Sequence, residues 1–482
     1  LLLKNRRAGA NRVIGLNGAT RELPTWPVAN RSVFYIDGRY YTRLPVGEYE
    51  LVVGKGPEYR IVKQRVVVAA DQTNAVKIKV HRWRDMAAQG WYSGDTHIHY
   101  PRASEYDDYI LQKLIRAEDL KVANILTYGN GVNIYLSPYS WRPDPLDTDN
   151  APYVLVAGQE DPRTSLLGHS VELNIREPVR DPARYLLYDS VFASIRAQGG
   201  LVGYAHAVGR PDVDWYLDPK GLAIDVPAGL VDFVEIMAPG ITGTSIWFDF
   251  LNLGYKLAPT AGTDSPYASV LGAVRSYVQL NTSFSRDAWF EALRQGRTFA
   301  SSGPMLEFSV NGNGIGSQLQ AHAGEVLVID AKASINPDIG TLASLELIEQ
   351  GAVVRKVTSR GGELAMELRH KVSAKHGTWL VLRAQGKNPA LNAISAPIYV
   401  LVDGQSFWKP SAVPAIVAGL KSKMQEALKP NQTEPNWECE SPWPTAANNW
   451  NEQMSALEKR ISKATALYDA LARSAKTAVA RH

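Results

Sequence analysis

The sequence predicts a multidomain chain of mixed class, an α/β region flanked by two all-β regions and followed by a helical tail. Three observations predict it. At 482 residues the chain is too long for one ordinary domain and suggests about three. From about residue 90 strand-like and helix-like runs alternate, which argues for a parallel sheet or a β/α barrel. On both sides of that region short apolar alternations recur between turn residues without helices, as in antiparallel sandwiches. The division is 1–86, an N-terminal β-sandwich; 87–302, the α/β barrel region; 303–405, a C-terminal β-sandwich; and 406–482, a helical tail.

The first region reads as a run of short strands. Ser32 to Ile36 leads into the hairpin signal Asp37-Gly38 and then Arg39 to Thr42. The turn Leu44-Pro45-Val46-Gly47 precedes Glu48 to Val53, and alternating Val66, Val68 and Val76, Ile78, Val80 complete the expected sandwich. In the second region the strand-like runs are Val122–Leu126, Tyr153–Ala157, Ser170–Leu173, Leu201–Tyr204 and Phe233–Met237, with a short one before Gly262. Helices are expected over Tyr106 to Leu120, Tyr188 to Gln198 and Phe248 to Lys256. After Gly303-Pro304, Leu345–Ile348, Thr378–Leu382 and Ile398–Val402 suggest the second sandwich. In the tail, Met454, Leu457, Ile461, Ala464, Tyr468, Leu471 and Ala475 follow helical spacing. Such a stripe packs on its own chain or forms a short coiled-coil seam, which leaves room for a homo-oligomer through this helix.

Composition narrows the class. A 45% hydrophobic content with 28 prolines fits a globular, loop-rich chain. No run reaches the roughly 18 apolar residues of a transmembrane segment. The net charge of +4 comes without a basic block, so neither a nucleic acid nor a membrane surface is indicated as partner. The single cysteine, Cys439, excludes an intrachain disulfide framework and a cysteine-based zinc knuckle, so any metal is expected to be held by histidine and carboxylate. A start at Leu1 fits a removed export signal and a trimmed chain equally. Localisation is therefore unknown, with an extracytoplasmic site, periplasmic or secreted, slightly favoured.

The most informative stretch is Gly90 to His99, which ends in His97-Ile98-His99. Residues i and i+2 of a strand share a face, so both imidazoles can reach one point. Imidazole pairs of this kind suit zinc, iron, manganese or nickel better than magnesium or calcium. A pair of surface or core histidines is the plain alternative. Further ligand-type residues lie at or near strand ends: Glu160, His169, His206 and Asp264. In a β/α barrel, groups at one end of the strands converge. Each has a structural alternative: Glu160 could pair with Arg163, His169 could cap backbone in a loop, His206 could be a hydrogen-bonded core histidine, and Asp264 could cap its turn. Asp95 shares the face of His97 but precedes the strand end, where a supporting role is expected.

Gly-Asp-Thr-His-Ile-His, Gly-Gly-Leu-Val-Gly-Tyr-Ala-His and Ala-Gly-Thr-Asp-Ser together resemble motifs of the PHP (polymerase and histidinol phosphatase) superfamily. More narrowly they resemble the CehA/McbA metallohydrolases, as do Trp289 to Ala300 and Ser302-Gly303-Pro304. The resemblance spans about residues 30 to 400. It implies a distorted (β/α)7 PHP-type barrel with a multinuclear metal site. By motif, His97 and His99 would bind one metal with Glu160 and Asp264, and Glu160 would bridge to a second held by His169 and His206. The fuller pattern adds a third metal, from which this sequence departs. Thr127-Tyr128-Gly129 replaces the usual Thr-Asp-His, Pro266 stands where a histidine would follow Asp264, and Tyr100-Pro101-Arg102 follows His99. Departures clustered around one metal favour a binuclear site.

The expected function is thus a metal-dependent hydrolase with two divalent ions, zinc, manganese or iron, whose shared hydroxide cleaves an ester-type bond: phosphoester, carboxyl ester, carbamate or amide. Asp264 and Glu160 would carry the catalytic roles, Asp264 orienting the water or accepting its proton. Tyr128, Asn130 and Arg210, just after strand ends, are candidate contacts to a small-molecule or small polymeric substrate. Arg210 could hold a carboxylate or phosphate bidentately. The alternative is a non-catalytic secreted binding or structural module whose barrel keeps a structural metal.

Overall fold

The computed structural model describes residues 2–5, 27–28, 31–32, 35–36, 38–100, 102–129, 141, 153–164, 166–209, 217–429 and 444–480. Its α/β region is built on β1 (Trp91–Ile98), β2 (Val122–Tyr128), β3 (Val154–Glu160), β4 (Gly168–Leu173), β5 (Leu201–Tyr204), β6 (Phe233–Ala238) and β7 (Ala258–Ala261). These strands are apolar and almost wholly buried, as strands covered on both faces must be. β1, β2 and β3 pair in parallel, with Gly94 beside Val122 and Val122 beside Val154. β5, β6 and β7 also pair in parallel. Between the two groups β4 runs antiparallel to both β3 and β5. The sheet closes where Ile98, at the end of β1, bridges Ser265 beyond β7, with the His99 N–H donating to the Ser265 carbonyl at 2.6 Å.

Its interior is filled by Val122, Leu126, Val154, Val156, Val171, Phe233, Ala258 and Trp289, among others. Trp289 explains a motif glycine. A Cβ on Gly94 would stand 2.4 Å from the indole ring, so only glycine lets β1 lie against it. Helix α1 (Glu105–Glu118) is capped by Ser104, which accepts from the Asp107 N–H, and packs Leu111, Leu114 and Ile115 on β2 and β3. Helix α2 (Tyr188–Ala197) buries Tyr188, Val191, Phe192 and Ile195. Helix α3 covers Ser245–Asn252 and stops short of the expected Lys256. Gly254 takes the left-handed conformation (φ 93°) and the Tyr255 N–H returns to the Phe250 carbonyl at 3.0 Å, closing the helix in the manner of a Schellman end.

The C-terminal β region is two facing sheets. One contains Met305–Val310, Val326–Ser334 and Ala365–Ser373; the other contains Leu342–Glu349, Thr378–Gly386 and Ile398–Val402. Leu306, Ile329 and Leu368 from the first meet Leu345, Leu382 and Val400 from the second in one core. The second sheet is continuous with the α/β region through Thr298–Ser301, which pairs with Asn392–Ser395.

Of the expected N-terminal sandwich, the described residues form one sheet and a short pair, Pro27–Val28 with Arg31–Ser32. Gly47–Val53 pairs with Leu2–Asn5 and Val62–Val68 in a three-stranded antiparallel sheet. Arg39–Thr42 forms no strand, nor do Val76, Ile78 and Val80, and Val76 is exposed. Alternation marks which side chains share a face, but a strand also needs a neighbouring ladder, and residues 72–80 have none among the described residues. Part of the expected hairpin at Asp37 lies outside the described residues.

The tail is helical over Val413–Glu426 and Pro444–Ala480. Leu457, Ile461, Ala464, Tyr468 and Ala475 are buried in the same core as α2 and α3. Tyr468 donates to the Ala223 carbonyl at 2.9 Å, and Arg460 pairs with Asp225 and, at 3.2 Å, with Asp189. The apolar stripe is therefore covered by its own chain, and nothing on that face supports an oligomer. Among the described residues no helix is long and apolar enough to cross a membrane.

Candidate metal centre

Five of the six candidate ligands are buried together at one end of the closed sheet, and Asp264 sits at their edge. β1 ends with His97 and His99, whose Nε2 atoms face each other 3.0 Å apart. β3 ends with Glu160. Because β4 is antiparallel to β3, its first residues return to the same end, and His169 lies there although it begins its strand. His206 follows β5, and Asp264 follows β7. Both are non-glycine residues with positive φ, 33° and 48°. That conformation costs a β-carbon-bearing residue on the order of 1–2 kcal/mol, a strain the surrounding contacts must hold.

Potential ligand atoms of His97, His99 and Glu160 lie within 4.8 Å of one another, and so do those of Glu160, His169 and His206. Glu160 is common to both triads. Its Oε2 is 3.2 Å from His99 Nε2, and its Oε1 is 2.7 Å from His169 Nδ1 and 3.9 Å from His206 Nε2. Asp264 Oδ1 stands 3.5 Å from His99 Nε2 and 3.7 Å from His97 Nε2. The Asp264 side chain is 30% exposed, against 7% or less for the other five, so the cluster opens toward solvent on its side.

Arg163 reaches Glu160 Oε2 at 3.3 Å, so the ion pair weighed as an alternative exists beside the histidine contacts. Burial opposes ionisation of Glu160, but Arg163, His169 and His97 outweigh it and hold the carboxyl well below the ordinary range. Burial pushes Asp264 up, with the charge of Glu160 adding to it against the opposing pull of His97 and His99.

Asp95 is wholly buried. It accepts from the His97 N–H, the Thr263 N–H and hydroxyl, and the Gly272 N–H, at 2.6–3.1 Å. It ties the loop carrying Asp264 to β1 and is not among the ligand triads. Burial pushes its carboxyl up to about 6 despite these donors.

Tyr128 lies at the mouth, edge-on to His99, with its hydroxyl 2.5 Å from that of Tyr267 and the Arg163 guanidinium 5.3 Å from its ring centre. Asn130 and Arg210 lie outside the described residues, as do 130–140, 142–152 and 210–216 of the loops around this end. Among the described residues a large cavity lies elsewhere, between the N-terminal sheet and α1, and contains none of the six.

Two residues escaped the sequence reading. Tyr267 follows the turn proline and carries no pattern of its own. Glu235 sits inside β6, and a charge within an otherwise apolar buried strand was the signal available. Its carboxylate accepts from His97 Nδ1 at 3.0 Å and from Thr96 Oγ1 at 2.6 Å. With Nδ1–H so engaged, the Nε2 lone pair of His97 faces the cluster, and the Leu126 carbonyl 3.2 Å from His99 Nδ1 does the same for His99.

The site and fold define a mixed α/β protein with a buried histidine–carboxylate cluster able to hold metal ions. No protein-family model matches the chain, and no curated protein matches it. Fibronectin(III)-like modules of Clostridium thermocellum CbhA align at 18% identity over 20% of this chain and 98% of theirs, with a TM-score of 0.16. PsfC from Pseudomonas syringae PB-5123 aligns at 14% identity over 43% of this chain and 90% of its own, with a TM-score of 0.29. Likenesses this slight carry no argument about activity.

Proposed function

We propose that the protein is a metal-dependent hydrolase of ester-type bonds, with two divalent ions held by His97, His99, Glu160, His169, His206 and Asp264. The observation that carries this reading is the place of Glu160, one buried carboxylate common to both histidine pairs, with His99 nearest one oxygen and His169 nearest the other. Structural zinc sites are closed sets of four ligands, whereas this set shares a carboxylate and opens beside Asp264. Imidazole and carboxylate donors suit zinc, manganese or iron. The motif resemblance to the CehA/McbA branch of the PHP superfamily points the same way. The order of strands around the closed sheet supports reading it as a distorted (β/α)7 barrel of that type.

Two divalent ions, when bound, supply Lewis acidity that lowers the pKa of a water toward neutrality and polarises the scissile bond. The chain's own residues do the rest. Glu160 stays ionised under the influence of Arg163. Asp264, at the open side, is placed to orient the attacking water and take its proton at Oδ1. Tyr128 and Tyr267 line the entrance, where a substrate of phosphoester, carboxyl ester, carbamate or amide type would lie. Asn130 and Arg210 remain candidate contacts.

Purified protein should contain close to two equivalents of metal, and Glu160→Ala at most one. With added manganese or zinc, one class in a panel of chromogenic phosphate, carboxyl and carbamate esters should turn over. Fewer than one equivalent in the wild type, or no turnover above Glu160→Ala on any ester, overturns the reading.

A further inference from the structure

We infer that Glu235 is a positioning residue that ties the two metal positions together, an inference that rests on the two-metal reading above. Phe233, Val234 and Ile236 around it in β6 are fully buried, and Glu235 is 1% exposed. A carboxylate in such a place persists only when donors meet it. Three do: Thr96 Oγ1 at Oε1, and both His97 Nδ1, at 3.0 Å, and the His206 N–H, at 3.1 Å, at Oε2.

That one oxygen therefore acts on a ligand of each triad. Through Nδ1 it turns His97 Nε2 toward His99 and Glu160. Through the main chain it holds His206 in its left-handed conformation, which presents the His206 ring to Glu160 and 5.8 Å from the ring of His97. The pairing of β6 with β7 shifts register between Glu235 and Met237, a bulge beside the site of the kind that re-aims side chains. A residue that only filled a polar gap in the core would need no such double contact.

The test compares metal-free wild type, Glu235→Ala and Glu235→Gln. Zinc is titrated against a chromophoric chelator to read both stepwise affinities, and cobalt absorption reports the coordination geometry. Loss of an outer carboxylate behind a metal-ligating histidine typically weakens binding about 10–100-fold. Glu235→Ala should weaken both positions by about that range and alter the cobalt spectrum. Glu235→Gln, which keeps an acceptor without the charge, should weaken both about tenfold. Circular dichroism and melting of the metal-free proteins establish that the fold persists. Weakening confined to one position overturns the inference, as do wild-type affinities in Glu235→Ala. Should the alanine variant fail to fold, wild-type affinities in a folded Glu235→Gln overturn it instead. A wild type that binds less than one zinc sinks the two-metal reading itself; a wild type that binds two beside unaffected variants sinks only the role of Glu235.

Discussion

Replacing Gly262 by alanine probes how tightly the metal centre is packed against its support. A Cβ at that position would lie 2.4 Å from Glu235 Oε1, 2.5 Å from His97 Cβ and 2.8 Å from Glu235 Cδ, where ordinary contact begins at 3.4 Å. Each neighbour would have to yield by roughly an ångström, and neither has room to do so. His97 and Glu235 are 0% and 1% exposed, and Thr96 Oγ1 already holds the same Glu235 oxygen that the Cβ would strike. Overpacking of this kind costs about 1–3 kcal/mol. Displacing a functional group by an ångström costs about 100-fold in rate. The expected result is a lower melting temperature, zinc binding weakened at the position of His97, and ester turnover reduced by about two orders of magnitude. Gly54→Ala, where a Cβ meets nothing within 4 Å, is the control. A Gly262→Ala protein that melts, binds zinc and turns over like the control would refute the packing argument.

Two further outcomes follow from charges buried in the same region and in the tail. In the metal-free protein His97 is held well above the usual imidazole value: burial works against its charge, but Glu235 and Glu160 outweigh burial. A pKa raised by folding contributes fully below the unfolded value of about 6.5 and is lost as pH climbs through the folded value. The advantage of wild type over His97→Gln in urea midpoint should therefore shrink as pH rises above about 6.5, and an advantage that widens contradicts the assignment. Arg460→Ala would leave Asp225, 1% exposed, with the Tyr204 hydroxyl at 2.7 Å but without its cation. Breaking a buried pair in this way costs about 3–5 kcal/mol. The helix Pro444–Ala480 should then be cut by protease far faster, and an unchanged cutting rate would show that the pair holds nothing.

Legibility followed the range of the interactions involved. Helices α1 and α2 could be read because amphipathic spacing is local, and their observed spans, Glu105–Glu118 and Tyr188–Ala197, fall close to expectation. The end of α3 was misjudged because apolar spacing continued past Gly254, whose left-handed turn ends the helix first. The strand expected over Val76, Ile78 and Val80 failed on the same ground. Period-two alternation at Val76, Ile78 and Val80 says nothing about whether a partner strand exists. The ligand-type residues stood out because histidines and carboxylates at the ends of apolar runs are costly to bury singly. Glu235 carries no sequence signature because its three donors come from β1 and from His206, two residues beyond β5, distances in sequence that no motif spans.

By itself the sequence determined which side chains could ligate a metal and where the strands bearing them run. Tertiary structure decided their assembly. The antiparallel turn of β4 returns His169 to the end of β3, and closure of β1 against Ser265 brings Asp264 beside His97 and His99. Glu160 acquires its double role only then, because a carboxylate can be shared by two histidine pairs only after three other strands have been packed beside its own.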